Sequence, residues 1–167
     1  MIRDAARDFA QTELLPGVIE RDEKQEFPAE QIKKLGELGF MGMMVLPENG
    51  GSGMDTLSYV LAIEELSKID ASASVVVSVN NSLVCWGLEA FGSPEQKAKY
   101  LPRLASGEII GSFCLSEPEA GSDATSQATT AVDMGDHYLL NGTKNWITNG
   151  GTCEIALVIA QTDREKG

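Results

Sequence analysis

Residues 106–131 read SGEIIGSFCLSEPEAGSDATSQATTA, and the character of the chain changes within this stretch. Upstream of Gly107 the apolar residues recur at three-to-five-residue steps, the spacing of helix faces. Downstream, EIIGSFCLS, SQATTAVDMGDHYLLNGTKNWITNGG and CEIALVIAQTD are short β-favouring runs cut by Gly, Asn and Asp. MGDH and LNGTK read as hairpin connections. The chain is therefore α+β, with a helical domain over 1–107 and a β-domain over 108–167 that is too short to manage all of its strand edges.

Working back from the boundary, Ser93-Pro94-Glu95-Gln96 has a cap, a proline at the first helical position and an acid in the first turn, so SPEQKAKYLPRLAS is a helix. Pro102 leaves its last turn open. ASASVVVSVNNSLVCWGLEAFG (71–92) mixes β-branched residues with helical length, and is read as a buried helix. Asp70 or Ser72 is its candidate cap. TLSYVLAIEELSKID follows two candidate caps, Asp55 and Thr56, and its Leu57, Val60, Leu61, Glu64, Glu65 and Lys68 divide into an apolar and a charged face. LPENGGSGMD packs a proline and three glycines into ten residues and is a loop. Pro28 opens a helix with Ile32, Leu35, Leu38 and Phe40 on one face. The first helix, marked by Ala5, Phe9, Ala10, Leu14 and Ile19, should end or kink near Leu15, before Pro16-Gly17.

Composition narrows the function. The 167 residues are 43% apolar and carry 13 basic against 25 acidic side chains, a net charge of −12. A chain of this size buries roughly two-thirds of its unfolded surface, so no disulfide or metal is needed to hold it. The acidic excess argues against nucleic acid or an anionic membrane as the main partner, since both reward clustered Lys and Arg. Cys85, Cys114 and Cys153 are odd in number and widely spaced, which fits a reducing compartment and offers no metal site. No apolar run reaches the length of a membrane span on this reading, and MIRDAARDFAQTELL lacks the continuous apolar stretch of a signal peptide. The protein reads as intracellular, and its ends, including the tail TDREKG, look like a fragment's.

Familiar catalytic patterns fail. GGSG at 50–53 has no preceding βαβ strand and no following Lys-Ser/Thr, so a structural loop is the simpler reading. His137 is the sole histidine and sits in a turn, a poor member of a Ser-His-Asp triad. The acids around Glu64, Glu65, Glu95 and Glu108 read as solvated helix faces.

Two segments remain. FCLSEPEAGSDATSQATTA (113–131) places Phe113, Cys114, Leu115 and Ser116 as a strand directly before a Gly-Ser-Asp loop. Hydroxyls and backbone N–H groups thereby gather at a strand end, where glycine lets a phosphate ester or planar polar ring approach. LNGTKNWITNGG (140–151) sets Trp146 beside Thr148, a flat aromatic face next to a hydroxyl, as a heteroaromatic cofactor requires. Taken singly, each is an ordinary turn or a core tryptophan.

CLSEPEAGSD and NGTKNWITNG resemble the two signatures of the acyl-CoA dehydrogenase family, and PENGGSGMD, SVNNSL and GSPEQKAKYLPRLASGE are similar to its short-chain, butyryl-CoA-type members. The resemblance covers essentially the whole chain. It implies an N-terminal helical domain, the first part of a β-barrel-like middle domain, and a C-terminal helical domain absent from this chain. It further implies FAD as cofactor, bound through Phe113, Cys114, Leu115, Ser116, Gly121, Ser122, Trp146, Ile147 and Thr148. Leu115 and Ser116 would meet the pyrimidine side, and the Thr148 hydroxyl would lie near flavin N5. Ser122 would also touch the substrate, a short-chain acyl-CoA, and the helices of residues 55–91 would wall the acyl pocket.

The implied reaction is α,β-dehydrogenation to the trans-2-enoyl-CoA: a carboxylate takes the α-proton while the β-hydrogen leaves as hydride to the flavin. The family's base is a C-terminal glutamate, so this chain has no catalytic residue of its own. Glu117 and Glu119 are read as capping or solvated groups. Glu119 stands where many relatives have a small residue, and Ser116 where many have threonine. Implied partners are an electron-transferring flavoprotein and a homotetramer, in the bacterial cytoplasm or the mitochondrial matrix. Competing readings are a related flavin oxidase and a non-catalytic helical module that uses the apolar face of residues 57–91 for a partner.

Overall fold

A computed structural model describes residues 1–163. The tail 164–167, part of the end read above as a fragment's, lies outside the described residues. The chain starts in α1 (Ile2–Phe9), continues through a π-helical stretch Ala10–Leu14, and turns at Pro16-Gly17, where Gly17 takes φ +77°. The buried stripe is Ala6, Phe9, Ala10 and Leu14, while Ala5 and Ile19 are exposed, one position off the expected face. α2 (Val18–Lys24) and α3 (Ala29–Glu37) follow. Leu38 is exposed rather than inward, because Gly39 stops the helix at φ +81° and a 3-10 turn, Phe40–Gly42, carries Phe40 back into the core.

The glycine-rich loop is structural. Ser52, Gly53 and Met54 donate their amides to the carbonyls of Gly42, Val45 and Met43. A Cβ on Gly51 would lie 2.1 Å from the Val45 carbonyl oxygen, so only glycine allows this approach.

α4 (Thr56–Ser67) is capped by Asp55, whose carboxylate accepts from Ser58 N at 2.7 Å. Its orientation corrects the expected division of faces. Tyr59, Ala62, Glu65 and Leu66 point inward, and Leu57 and Val60 outward. Glu65 is no solvated acid: at 3% exposure it accepts from Arg3 Nε (2.7 Å), Arg7 Nε (3.0 Å) and Lys68 Nζ (2.9 Å). A buried carboxylate is tolerated because cations brought from α1 meet it.

α5 (Ala71–Val79), capped by Asp70, a π-helical stretch Asn80–Cys85 and α6 (Trp86–Phe91) form one helix of 21 residues. By length and composition it is apolar enough to cross a membrane, which corrects the expectation that no segment reaches that length; half of it is buried inside the domain. Two apolar clusters meet along it. Phe9, Leu14, Ile32, Leu35, Leu66 and Val77 belong to one, and Val45, Val84, Leu88, Leu101, Leu104 and Ile109 to the other. Each such side chain contributes roughly 1.5–3 kcal/mol by burial. α7 (Pro94–Ala105) starts in a Ser93–Gln96 capping box and keeps Pro102 within its last turn.

The β-part is small. β1 (Gly111–Cys114) pairs in parallel with β4 (Ile155–Val158), Gly111 opposite Ile155 and Cys114 opposite Val158. β2 (Thr130–Asp133) and β3 (Tyr138–Asn141) form an antiparallel hairpin turning through Met134–His137. The expected second hairpin at LNGTK does not form. Gly142 passes so close to Thr129 that a Cβ would lie 2.3 Å from its Oγ1, and the chain runs on to Lys144. Gln161, past β4, exchanges backbone bonds with Thr129 and Ala131, joining the two pairs. Phe113, Ile155 and Leu157 seat the sheet on the second cluster.

Candidate functional site

The site is built at the exit of β1. Strand pairing stops at Cys114, short of the expected Ser116, and the chain then turns tightly, Glu117 N donating to Ala120 O (2.9 Å) and Ala120 N to Glu117 O (3.2 Å). The amides of Leu115 and Ser116 have no partner among the described residues. Their carbonyls do: Leu115 O accepts from Lys144 Nζ at 2.9 Å and Ser116 O from Asn145 N at 2.9 Å. Beyond the turn Gly121 and Ser122 are exposed, and a Cβ on Gly121 would meet nothing within 4 Å. Asp123, with the hydroxyls of Thr125 and Ser126 bonded to it, is held below the usual carboxylate range.

Glu117 differs from its expected role as a capping or solvated group. It is buried, with Lys144 Nζ at 2.7 Å, Thr129 N at 3.0 Å and Ala128 N on its other oxygen. The Lys144 ammonium is the first cause, and these amides add to it, in holding its carboxyl down at about 2. Glu119 is exposed.

The second motif lies alongside. Trp146 is no core residue: its side chain is 95% exposed and its backbone left-handed at φ +58°. Ile147 and Thr148 are half-buried, and a turn closes from Gly150 N to Ile147 O at 2.9 Å. Asn149, left-handed at φ +64°, donates Nδ2 to Gly111 O at 3.0 Å, and its buried Oδ1 has no partner among the described residues.

Thr148 and Asn149 open onto a cleft of about 920 Å³ whose apolar lining includes Val18, Ile19, Phe27, Ile69, Val75 and Val76. Arg21 and Asp70, 3.1 Å apart, form its polar end. Of the expected site residues only Thr148 lines this cleft; Phe113, Cys114, Leu115, Ser116, Gly121, Ser122, Trp146 and Ile147 do not. The wall that residues 55–91 contribute comes from residues 69–72, 75 and 76. His137 sits exposed at the hairpin tip, 2.6 Å from Asp136, and no group of His, Cys, Asp and Glu suited to a metal occurs among the described residues.

Three organising residues escaped the sequence reading: Lys144, Asn149 and Asn80. Asn80 Oδ1 accepts from Gly111 N at 3.2 Å while its Nδ2 donates to Met41 O and Leu104 O. The available signal was a polar pair, Asn80-Asn81, inside an apolar helix.

Residues 1–108 match the family described as acyl-CoA dehydrogenase, N-terminal domain, and residues 112–167 the one described as acyl-CoA dehydrogenase, middle domain. The chain belongs to the acyl-CoA dehydrogenase family. It is 46% identical over 167 residues to a short-chain specific acyl-CoA dehydrogenase of Clostridium acetobutylicum, covering 100% of this chain and 44% of the relative. Butyryl-CoA dehydrogenase of Megasphaera elsdenii superposes with a TM-score of 0.94 at 43% identity, over 99% of this chain and 44% of that one. A chain from a structure of the electron transferring flavoprotein of Acidaminococcus fermentans gives a TM-score of 0.96 at 47% identity, over 100% and 44%. The chain thus spans under half the length of each of these relatives.

Proposed function

We propose that this chain forms the cofactor face and one wall of the substrate cleft of an FAD-dependent dehydrogenase that converts short-chain acyl-CoA thioesters to trans-2-enoyl-CoA. The observation that carries the reading is the pair of unpartnered amides at Leu115 and Ser116 together with the outward-facing Trp146 and the cleft-lining Thr148. Buried or half-buried donors without partners are costly unless a ligand meets them. An exposed indole held in a left-handed backbone presents a flat surface that the fold itself leaves unused.

Phe113, Cys114, Leu115 and Ser116 would hold the polar edge of the isoalloxazine, Trp146, Ile147 and Thr148 its flat face, and Gly121 and Ser122 the phosphate or pantetheine side. FAD, when bound, supplies the acceptor for a hydride. The residues of this chain bind and orient. The cleft lined by Val75 and Val76 takes the acyl group out of water, and Thr148 marks the end of that cleft where cofactor and acyl chain meet. No described carboxylate is assigned as the base: both oxygens of Glu117 are committed to fixed donors, and Glu119 points to solvent. Residues 1–107 and 108–167 act as helical and β-domains around this cleft. The electron acceptor is assigned as an electron-transferring flavoprotein and the assembly as a homotetramer, following the family.

The test is anaerobic. The full-length protein loaded with FAD should bleach on adding butyryl-CoA and release crotonyl-CoA; Ser116→Ala and Thr148→Val should each weaken flavin binding. A flavin that remains oxidised with butyryl-CoA while longer acyl chains bleach it overturns the short-chain assignment. Failure to bind FAD overturns the site.

A further inference from the structure

The ammonium of Lys144 has three donors, and three acceptors from different parts of the β-domain occupy it: Leu115 O at 2.9 Å, Glu117 Oε1 at 2.7 Å and Gln127 Oε1 at 3.1 Å. The Lys144 side chain is 10% exposed and that of Glu117 5%. Glu117 also receives Ala128 N and Thr129 N, so the lysine is tied through it to the segment that enters β2. The next residue, Asn145, holds Ser116 O.

A trans peptide sets its C=O and N–H in opposite directions. Fixing the Leu115 carbonyl on the lysine therefore aims the Ser116 N–H the other way, to the side where it finds no protein partner. Two residues after Lys144 the chain presents Trp146, so the backbone of Trp146 lies within about 7 Å of the anchored residue. A strongly hydrated cation is an expensive thing to bury in a small β-domain. Surface motifs that merely needed to fold would be served as well by an apolar pair.

We propose that Lys144 is a positioning residue: through the Leu115 carbonyl and the Glu117 carboxylate it sets the strand-end amides and the Trp146–Thr148 face at the spacing of a single planar ligand. The proposal rests on the site being a flavin site, as argued above.

Lys144→Met, Lys144→Arg and Glu117→Gln in the full-length protein test it, with FAD as the probe. Lys144→Met should lose about tenfold or more in FAD affinity through lost pre-organisation, and shift the visible absorption and circular dichroism of whatever flavin remains bound. Lys144→Arg, which keeps the donors, should recover most of both. Glu117→Gln should show the same spectral shift in weaker form, and serves if Lys144→Met does not fold. Ile32→Val, remote in the helical core, controls for a general loss of stability.

Wild-type affinity and spectrum in Lys144→Met and Glu117→Gln would overturn the positioning role while leaving the flavin site standing. So would an equal loss of affinity in Ile32→Val at matched melting temperature. A wild-type protein that binds no FAD would instead overturn the flavin site, and the positioning role with it.

Discussion

The side chain of Asn80 accepts the backbone N–H of Gly111 at 3.2 Å, a direct hydrogen bond from the long core helix to the first strand of the β-domain. Asn80 is fully buried, and its amide nitrogen also donates to Met41 O (2.9 Å) and Leu104 O (3.1 Å). It lies where the helix passes from α to π geometry, a local change often kept where a helix must present a particular group. Asn80→Ala removes the side-chain partner of three backbone groups, Gly111 N, Met41 O and Leu104 O, so a loss of about 2 kcal/mol is expected in urea denaturation. Asn80→Asp, which keeps the acceptor and loses the donors, should not restore it.

Trp146 separates fold from function. The ring is 95% exposed and the residue left-handed, a conformation that glycine adopts freely. Trp146→Gly should leave stability unchanged within about 0.5 kcal/mol and still weaken FAD binding, as denaturation and flavin titration on the same sample would show. A large stability loss would return Trp146 to the core.

Stability should fall in acid. Glu117, tied first to Lys144, and Glu65, tied first to Arg7 and then Arg3, both have folded values below the ordinary 4.5, that of Glu117 at about 2. A depressed carboxylate stabilises the fold fully above its unfolded value and loses that contribution as pH falls toward its folded value. Thermal melts should therefore drop steadily from pH 5 down to pH 2. Glu65→Gln should flatten the decline while lowering the plateau at neutral pH, and an unchanged slope would exclude Glu65 as a source.

Gly42 lies against α7, and a Cβ there would sit 2.4 Å from that of Ala105. Gly42→Ala should cost about 1–3 kcal/mol by overpacking, measured as a shift in the urea midpoint. Gly121→Ala, where the added atom meets nothing within 4 Å, is the matched control and should be silent in stability.

Cys85 is buried among apolar groups, which pushes its thiol up to about 12. At pH 8 it should resist a thiol reagent until the protein unfolds, whereas the half-buried Cys153 should react in the folded state. Counting labelled thiols with and without denaturant checks this.

Much of this was legible locally. Ser93-Pro94 and Asp55 announced their helices because a cap is satisfied within three residues of itself, and the turn from helices to strands near Gly107 followed from a change of apolar period. The two motifs with Leu115, Ser116, Trp146 and Thr148 were visible as short strings with unusual chemistry. The amino-acid sequence by itself thus determined the helical lead, the strand runs, and membership of a family.

What the string could not hold is which distant groups meet. Glu65 lay on a charged stripe and was read as solvated until Arg3 and Arg7, some sixty residues away, came to neutralise it. LNGTK had the residues of a hairpin, yet Thr129 leaves space only for Gly142 and the chain goes on to deliver Lys144 beneath Leu115. A buried charge or amide is stable only with its partners in place, and those partners are chosen by packing. The tertiary structure alone therefore decided that Glu117 is an anchor, that Trp146 faces outward, and that Asn80 ties the two domains together.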